Sequence, residues 1–189
     1  MRNKTRINAL REWVIERHAD QKRKYTGKPY YTHLDNVREI VSRYSLGFGA
    51  EEIALCHDLL EDTKTTMFDL DSKLIDLGYK SHDRGTICRG VKGLTDVYTS
   101  EDYPRLNRAT RKHKERIRLE NERAMVQSIK CADLIDNTSS IVEHDIGFAK
   151  VYLREKEDIL EHLKRGNKAL LQLAKETLEE AKIKLWGKV

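Results

Sequence analysis

Apolar positions along this chain recur at the spacing of amphipathic helices. Ile7 and Leu10 share one helical face in a segment that runs from about residue 5 to 22. Two longer segments with the same period, about 146–165 and 168–186, lie near the end of the sequence. No segment of useful length alternates with the period of a β-strand. The pattern therefore predicts an all-α fold.

Glycine, proline and polar clusters separate the other predicted helices. These helices cover about 32–46, 50–63, 68–77, 81–94, 105–127 and 125–140. A chain of 189 residues is long enough to form one domain with a sizeable core. We therefore expect a single domain over residues 1–189, in which two C-terminal helices within about 146–186 pack on the rest.

Charge and cysteine usage narrow the classes of function. The formal net charge is +5, but 31 acidic residues offset 36 basic ones, so charge alone does not indicate nucleic-acid binding. The 3 cysteines form no CxxC pair, which favours a reducing, cytoplasmic setting. We find no apolar run typical of a signal peptide or a membrane span. We expect a cytoplasmic protein without membrane contact, and the sequence leaves its oligomeric state open.

A His-Asp doublet in the apolar helix predicted over 50–63 is the first candidate site. In a continuous helix, His57 and Glu61 lie one turn apart, as do Asp58 and Asp62, so these groups share one edge. Ionisable groups surrounded by leucines are costly to bury unless they are paired or bind a cation. Imidazole and carboxylate together suit a divalent metal ion. The stretch therefore predicts a metal site rather than a solvated charged face.

A second candidate, Asp133, lies on a helix that is apolar on its other faces. Alone, this residue is typical of a surface acid. The order of a single His33, the His57-Asp58 doublet and a distant Asp133 resembles the HD-domain metal hydrolases. The resemblance implies an HD-domain helical bundle in which these residues bind one divalent cation.

Local motifs narrow this resemblance to the RelA/SpoT-type alarmone hydrolases. The motifs are the basic loop 23–33, the His-Asp-x-x-Glu-Asp segment 57–62 and the Lys-x-Ala-Asp-x-x-x-Asn segment 130–137. Leu34 departs from the family pattern, which has a proline after the first histidine. The motifs fall within about 23–140. The resemblance implies a stand-alone hydrolase that uses manganese (Mn²⁺) to remove the 3′-pyrophosphate of (p)ppGpp, giving GDP or GTP and pyrophosphate.

The resemblance also implies roles for residues around the metal. Glu61 and Asp62, one helical turn beyond the ligands, are expected to orient water or to move its proton. A guanidinium group suits stacking on a base and binding of anions. By this resemblance, Arg23 and Lys24 are expected to contact the guanine side of the substrate. Asn137 and Ser140 are expected to hold the nucleoside.

The segment 105–118 is strongly basic and contains one acid, Glu115. It is typical either of a solvated helix face or of a cationic wall for a polyphosphate, because phosphate contacts with cations are charge-assisted. In the second interpretation, Arg108 and Arg111 bind substrate phosphates. Aromatic residues do not interleave the charges, which disfavours a nucleic-acid surface.

Two other functions stay open. An HD-type enzyme could act on another nucleotide, such as NADPH, a deoxynucleotide or a nucleoside monophosphate. The same fold could also serve as a non-catalytic nucleotide sensor. Retention of the four predicted ligands and of the Glu61-Asp62 pair favours an enzyme whose partner is a small-molecule nucleotide.

Several other residues have simpler interpretations. The second literal doublet, His82-Asp83, follows Ser81 at a predicted helix start and is expected to be exposed. Cys56 and Cys131 are expected to fill small spaces in the core. Surface positions are predicted for the histidines that lie among charged residues, namely His18, His113, His144 and His162.

Overall fold

The structure, a computed structural model, describes residues 3–187. Within that range it contains ten α-helices, and its only strand-like feature is an isolated bridge between Lys22 and Pro29. The predicted all-α fold is confirmed. None of the helices in the described range has the length and apolarity needed to cross a membrane. The helices are α1 Asn3–His18, α2 Tyr31–Ser42, α3 Ala50–Cys56, α4 Leu59–Asp62, α5 Met67–Asp76, α6 Ser81–Leu94, α7 Arg108–Glu120, α8 Ala124–His144, α9 Ile146–Leu160 and α10 Lys168–Trp186.

These helices belong to two compact units. The first unit holds the described residues up to Arg23 together with Gly27–Thr95, and it contains α1 to α6. The second holds Lys24–Thr26 and the described residues from Asp96 onward, and it contains α7 to α10. The expectation of a single domain over the whole chain stays a prediction.

Helix α3 is at the centre of the first unit, where it packs against α1, α2 and α6. Its Ile53 side chain is fully buried, as are Leu10 of α1, Val37 of α2 and Ile87 of α6. Burial of each such side chain contributes about 1.5–3 kcal/mol to folding. This packing holds the end of α3, which leads directly into the His-Asp doublet.

The approach of α6 to α3 requires a glycine. A Cβ atom at Gly90 would lie 2.3 Å from Cδ1 of Ile53, closer than carbon atoms approach in folded proteins. Because glycine has no Cβ, the two helices pack with the Ile53 side chain directly against the α6 backbone. The position of α3 therefore depends on a residue far from the doublet in sequence.

In the second unit, α8 packs against both α9 and α10. Ile129 and Leu134 of α8 are buried, together with Leu153 of α9 and Leu170 of α10. Gln127 is also buried, and its amide donates to the carbonyl of Leu119 at 2.9 Å. The core of this unit therefore fixes the α8 helix that carries Asp133.

The predicted basic helix over 105–127 is shorter in the structure. It begins at Arg108, because the Asn107 side chain caps it by accepting from the Thr110 backbone N–H at 2.9 Å. It ends at Glu120, and α8 begins at Ala124. The prediction placed the boundary with the next helix at about 125–127, a few residues later than the structure does.

Candidate functional site

The predicted helix over 50–63 is wrong at the His-Asp doublet. Helix α3 ends at Cys56 and α4 begins at Leu59, so His57 and Asp58 form the junction between two helices. The Ala54 carbonyl, in the last turn of α3, accepts from Nδ1 of His57 at 2.7 Å. The Asp58 backbone departs from helical values, with φ −98° and ψ 0°.

This hydrogen bond also sets the tautomer of His57. A carbonyl oxygen only accepts, so the ring proton lies on Nδ1 and the lone pair lies on Nε2. Histidines that bind metals commonly donate their second ring nitrogen to a backbone carbonyl in this way. The backbone of α3 therefore presents Nε2 of His57 as a ligand atom.

Three of the predicted ligands meet in the first unit. His33 of α2 joins His57 and Asp58, and one ligand atom from each lies within 4.8 Å of the others. Oδ2 of Asp58 is 3.1 Å from Nε2 of His57 and 3.6 Å from Nε2 of His33. Both imidazoles are buried, while the carboxylate is partly accessible. Two imidazoles and a carboxylate at this spacing fit a divalent cation.

Tyr30, which the sequence interpretation missed, supports this cluster. Its hydroxyl donates to Oδ2 of Asp58 at 2.7 Å, and its ring meets the His33 ring edge-on at 5.7 Å. Burial, with the negative charges of Asp58 and Asp62, raises the pKa of the Tyr30 hydroxyl, so it stays a donor. Its position three residues before His33, in the same helical turn, was a signal that could have identified it.

The prediction that His18 is a surface residue is wrong, because the side chain is buried and stacks on the Tyr30 ring at 5.0 Å. Nδ1 of His18 donates to Oε1 of Gln21 at 2.7 Å, and Nε2 of Gln21 donates to Oδ2 of Asp62 at 3.0 Å. The contact with Tyr30, which lies outside α1, covers the His18 ring, and local composition does not reveal it. His18 and Gln21 thus connect the core of this unit to a predicted catalytic carboxylate.

The acidic pair follows the cluster on α4. Glu61 and Asp62 are both exposed, and the hydrogen bond from Gln21 restrains Asp62. Exposure leaves both carboxylates accessible to water and to a ligand. Their catalytic roles stay predictions.

Asp133, the fourth predicted ligand, belongs to the second unit. It is buried on α8, where Oδ2 accepts from Nζ of Lys130 at 2.9 Å and Oδ1 accepts from Nδ2 of Asn137 at 2.6 Å. The predicted helix face shared by Asp133 and Asn137 is therefore present. The role of Asp133 as a ligand stays a prediction.

A cavity of about 300 Å³ lies within the second unit. Asp133, Asn137 and Arg108 line it, together with the Phe148 ring. The Lys24 ammonium group lies 5.8 Å from the centre of that ring, and the Arg108 guanidinium lies 5.5 Å from it. Of the residues predicted to contact substrate, Lys24 and Arg108 therefore lie near the Phe148 ring, and Arg108 and Asn137 lie in the cavity wall.

The remaining predicted contacts have other surroundings. Ser140 donates to the Asn137 carbonyl at 3.1 Å, and the Arg111 guanidinium donates to the Leu106 carbonyl. Arg23 lies in the first unit, in a turn where its carbonyl accepts from the Gly27 N–H at 3.0 Å. Substrate binding by these residues stays a prediction.

Acidic side chains that are distant in sequence neutralise part of the positive charge of the basic segment 105–118. Arg108 forms a two-point ion pair with Glu155 at 2.7 and 2.8 Å, and Arg116 donates to Asp158 at 2.9 Å. The single acid of the segment, Glu115, is buried and accepts from Arg118 at 2.7 Å. The local charge imbalance seen in the sequence is therefore partly neutralised in the fold.

The alternative candidates behave as expected. The His82 side chain is 87% exposed, so the second doublet is on the surface. Cys56 and Cys131 are buried, and burial raises the pKa of the Cys131 thiol to about 12, which disfavours a reactive thiolate. His113 and His144 are exposed, and His162 is half-buried beside Glu120.

Comparisons with known proteins support the resemblance. No family model matches the chain. The guanosine-3′,5′-bis(diphosphate) 3′-pyrophosphohydrolase of Aquifex aeolicus is 31% identical over 144 residues, which cover 71% of this chain and 18% of that protein. The GTP pyrophosphokinase rsh of Brucella ovis is 33% identical over 69 residues, 36% of this chain and 9% of that protein. The chain thus spans less than a fifth of the length of these curated relatives.

A solved metazoan ortholog of SpoT, described as hydrolysing ppGpp, matches the structure with a TM-score of 0.76. The match covers 93% of this chain and 94% of that one, at 21% sequence identity. This chain has the same fold. The predicted HD-domain helical bundle and the resemblance to the RelA/SpoT-type hydrolases are therefore confirmed.

We predict that Tyr30 supports metal binding at the cluster of His33, His57 and Asp58. Tyr30→Phe removes the hydroxyl that orients the Asp58 carboxylate and keeps the ring that stacks on His18. Loss of a supporting hydrogen bond of this kind typically weakens metal affinity ~10–100-fold. Titration of the metal-free variant with Mn²⁺ measures the change. Tyr44→Phe, in the same unit, is the matched control, and equal Mn²⁺ affinity in both variants would contradict the role.

Proposed function

We propose that this protein is a metal-dependent phosphohydrolase that removes the 3′-pyrophosphate of (p)ppGpp. The observation that carries the proposal is the cluster of two buried histidines, His33 and His57, with Asp58 within an HD-domain fold. The names of the Aquifex relative and of the metazoan structure support the choice of reaction and substrate.

In this proposal the cofactor is one Mn²⁺ ion. His33, His57 and Asp58 would hold it, and Asp133 would be the fourth ligand. The tautomer of His57 supports this assignment because it leaves the Nε2 lone pair for a metal, and the hydrogen bond from Tyr30 holds the Asp58 carboxylate in place. A bound divalent ion lowers the pKa of a water ligand and polarises a phosphoryl oxygen.

The reaction adds water across the bond between the 3′-oxygen and phosphorus. The hydroxyl of the water joins the departing pyrophosphate, and a proton must reach the 3′-oxygen, which becomes the ribose hydroxyl of GDP or GTP. Glu61 and Asp62 would accept the proton from water and return it to the leaving oxygen. Their exposure and the restraint of Asp62 by Gln21 support these roles.

The substrate contacts in this proposal are Arg23 and Lys24 on the guanine side, and Asn137 and Ser140 at the nucleoside. Arg108 and Arg111 would contact phosphates. The position of Asn137 and Arg108 in the wall of one cavity supports nucleotide binding there. Because Arg108 is already paired with Glu155, a phosphate would have to share this guanidinium or displace the carboxylate.

Turnover of a nucleotide panel tests the proposal. The purified protein is incubated with ppGpp, pppGpp, NADPH and deoxynucleoside triphosphates, with added Mn²⁺ and with a chelator. We expect GDP or GTP and intact pyrophosphate from the two alarmones, and no product with the chelator. Preferential turnover of NADPH or a deoxynucleotide would contradict (p)ppGpp as the substrate and would indicate a phosphohydrolase that acts on that other nucleotide. Absence of turnover with the whole panel would contradict an enzymatic role on these nucleotides.

A further inference from the structure

Lys156 of α9 is a buried basic side chain that the proposed reaction does not use. Only 1% of the residue is exposed, although lysine is rarely buried unless it is paired. Its ammonium group donates to Oγ1 of Thr138 at 2.7 Å. Among residues 3–187, this neutral hydroxyl is the only hydrogen-bond partner of the ammonium group, which carries three N–H donors.

The carboxylates around Lys156 are engaged by other cations. Four of them line the same cavity of the second unit. Each forms an ion pair of 3.1 Å or less with a different arginine or lysine, in the pairs Asp96–Lys112, Glu115–Arg118, Asp133–Lys130 and Glu155–Arg108. Four basic side chains line the cavity, and three of them, Arg108, Lys112 and Lys130, form ion pairs with carboxylates. Within the described residues, Lys156 is the one that does not.

The electrostatic balance at Lys156 favours an additional anion. Burial lowers the pKa of its ammonium group to about 7, while the negative charge of Asp133 opposes the shift. The charges already present in the fold thus compensate only part of the cost of burying this cation. A charged hydrogen-bond acceptor in the cavity would compensate the remainder.

The neighbouring side chain adds a second hydrogen-bond donor. Tyr152 lies one turn before Lys156 on α9, and both residues line the cavity. The Tyr152 hydroxyl is buried close to the Thr138 side chain and, within residues 3–187, forms no hydrogen bond of standard geometry. Buried polar groups without partners are uncommon and call for an explanation such as a bound ligand.

We propose that Lys156 forms an anion subsite in this cavity and binds a phosphate group. The cavity of about 300 Å³ is large enough for a phosphate and the group that carries it. A phosphate oxygen offers the charged acceptor that Thr138 does not provide, and hydrogen bonds between two charged groups are shorter and stronger than neutral ones. The choice of phosphate as the anion rests on the proposed function, but the geometry of the subsite does not.

Titration with inorganic pyrophosphate tests the subsite. A chelator is present throughout, so that no divalent cation offers a second place for the anion. Calorimetry should detect binding to the wild-type chain of residues 1–189, and Lys156→Met should weaken it by ~10–100-fold, the usual worth of a hydrogen bond to a charged group. Lys150→Met removes an exposed lysine from the same helix and should change the dissociation constant by less than about twofold.

Stability measurements separate this role from a purely structural one. A cation retained for binding costs stability, so Lys156→Met should raise Tm or leave it unchanged. Lys156→Gln keeps a donor for Thr138 without the charge, and it should also weaken pyrophosphate binding if the charge matters. Binding in Lys156→Gln equal to that of the wild type, or no metal-free binding by the wild type, would overturn the subsite.

The outcomes also distinguish the subsite from the proposed function. If the nucleotide panel shows no hydrolysis but pyrophosphate binding depends on Lys156, the proposed reaction fails and the subsite stands. If ppGpp is hydrolysed and pyrophosphate binding is the same in Lys156→Met and Lys150→Met, the reaction stands and the subsite fails.

Discussion

Asp58→Ala should lose both the bound divalent cation and the turnover of ppGpp. The substitution removes the carboxylate that lies within reach of both imidazoles of the cluster, at 3.1 and 3.6 Å from their Nε2 atoms. Removal of a supporting group near a metal costs ~10–100-fold in affinity, so loss of a ligand should cost at least ~100-fold. Elemental analysis of the purified variant and a Mn²⁺ titration measure the metal, and released pyrophosphate measures the turnover.

Asp83→Ala is the matched control, because it removes the acid of the other His-Asp doublet in the same unit. His82 is exposed, so this variant should keep wild-type metal content and rate. Asp58→Ala also removes the acceptor of the Tyr30 hydroxyl, which can cost about 1–3 kcal/mol of stability. Thermal unfolding of both variants shows whether the protein is folded at the assay temperature. A folded Asp58→Ala variant with undiminished metal content would refute the assignment of Asp58 as a ligand.

Glu61→Gln should keep the metal and lower kcat by ~10²–10⁴-fold, the usual contribution of a general acid or base. The amide has nearly the shape of the carboxylate, and the side chain is exposed, so a packing defect is a poor explanation for such a loss. Asp62→Asn should have an effect in the same range, because it removes the other proposed proton carrier. Steady-state kinetics with ppGpp, together with Mn²⁺ content, separates loss of chemistry from loss of metal.

Two comparisons make the Glu61 result specific. Glu16→Gln neutralises another exposed glutamate of the same unit and should leave kcat unchanged. Arg23→Ala should raise KM for guanosine nucleotides while it keeps metal content, because its proposed role is to bind the base. Metal loss in Glu61→Gln would make Glu61 a ligand or a support for one. A wild-type rate in Glu61→Gln and Asp62→Asn would make the acidic pair structural.

The candidate metal ligands could be selected from the sequence, because ligand chemistry is a property of residue type. His33, His57 and Asp58 meet in the first unit as expected. The way in which they meet could not be predicted. Helical periodicity extended the helix through the doublet, whereas the bond from His57 to the Ala54 carbonyl marks its interruption.

Burial of polar residues was the part that local patterns predicted poorly. His18 lies among charged neighbours in sequence, yet it is buried against Tyr30. Lys156 has acidic neighbours on both sides, a pattern typical of a solvated helix face, yet it is among the most completely buried side chains. The neighbours that matter for both residues come from other elements.

The sequence by itself determined the all-α class, the approximate positions of most helices and the residue types available to bind a cation. Each of these depends on interactions within a few residues or on the chemistry of single side chains. The tertiary structure alone decided that Tyr30 orients Asp58, that Gln21 links His18 to Asp62, and that Glu155 pairs with Arg108. Apart from the local bond between His18 and Gln21, these contacts join residues distant in sequence, and their geometry is set by how the helices of each unit pack to bury their apolar faces.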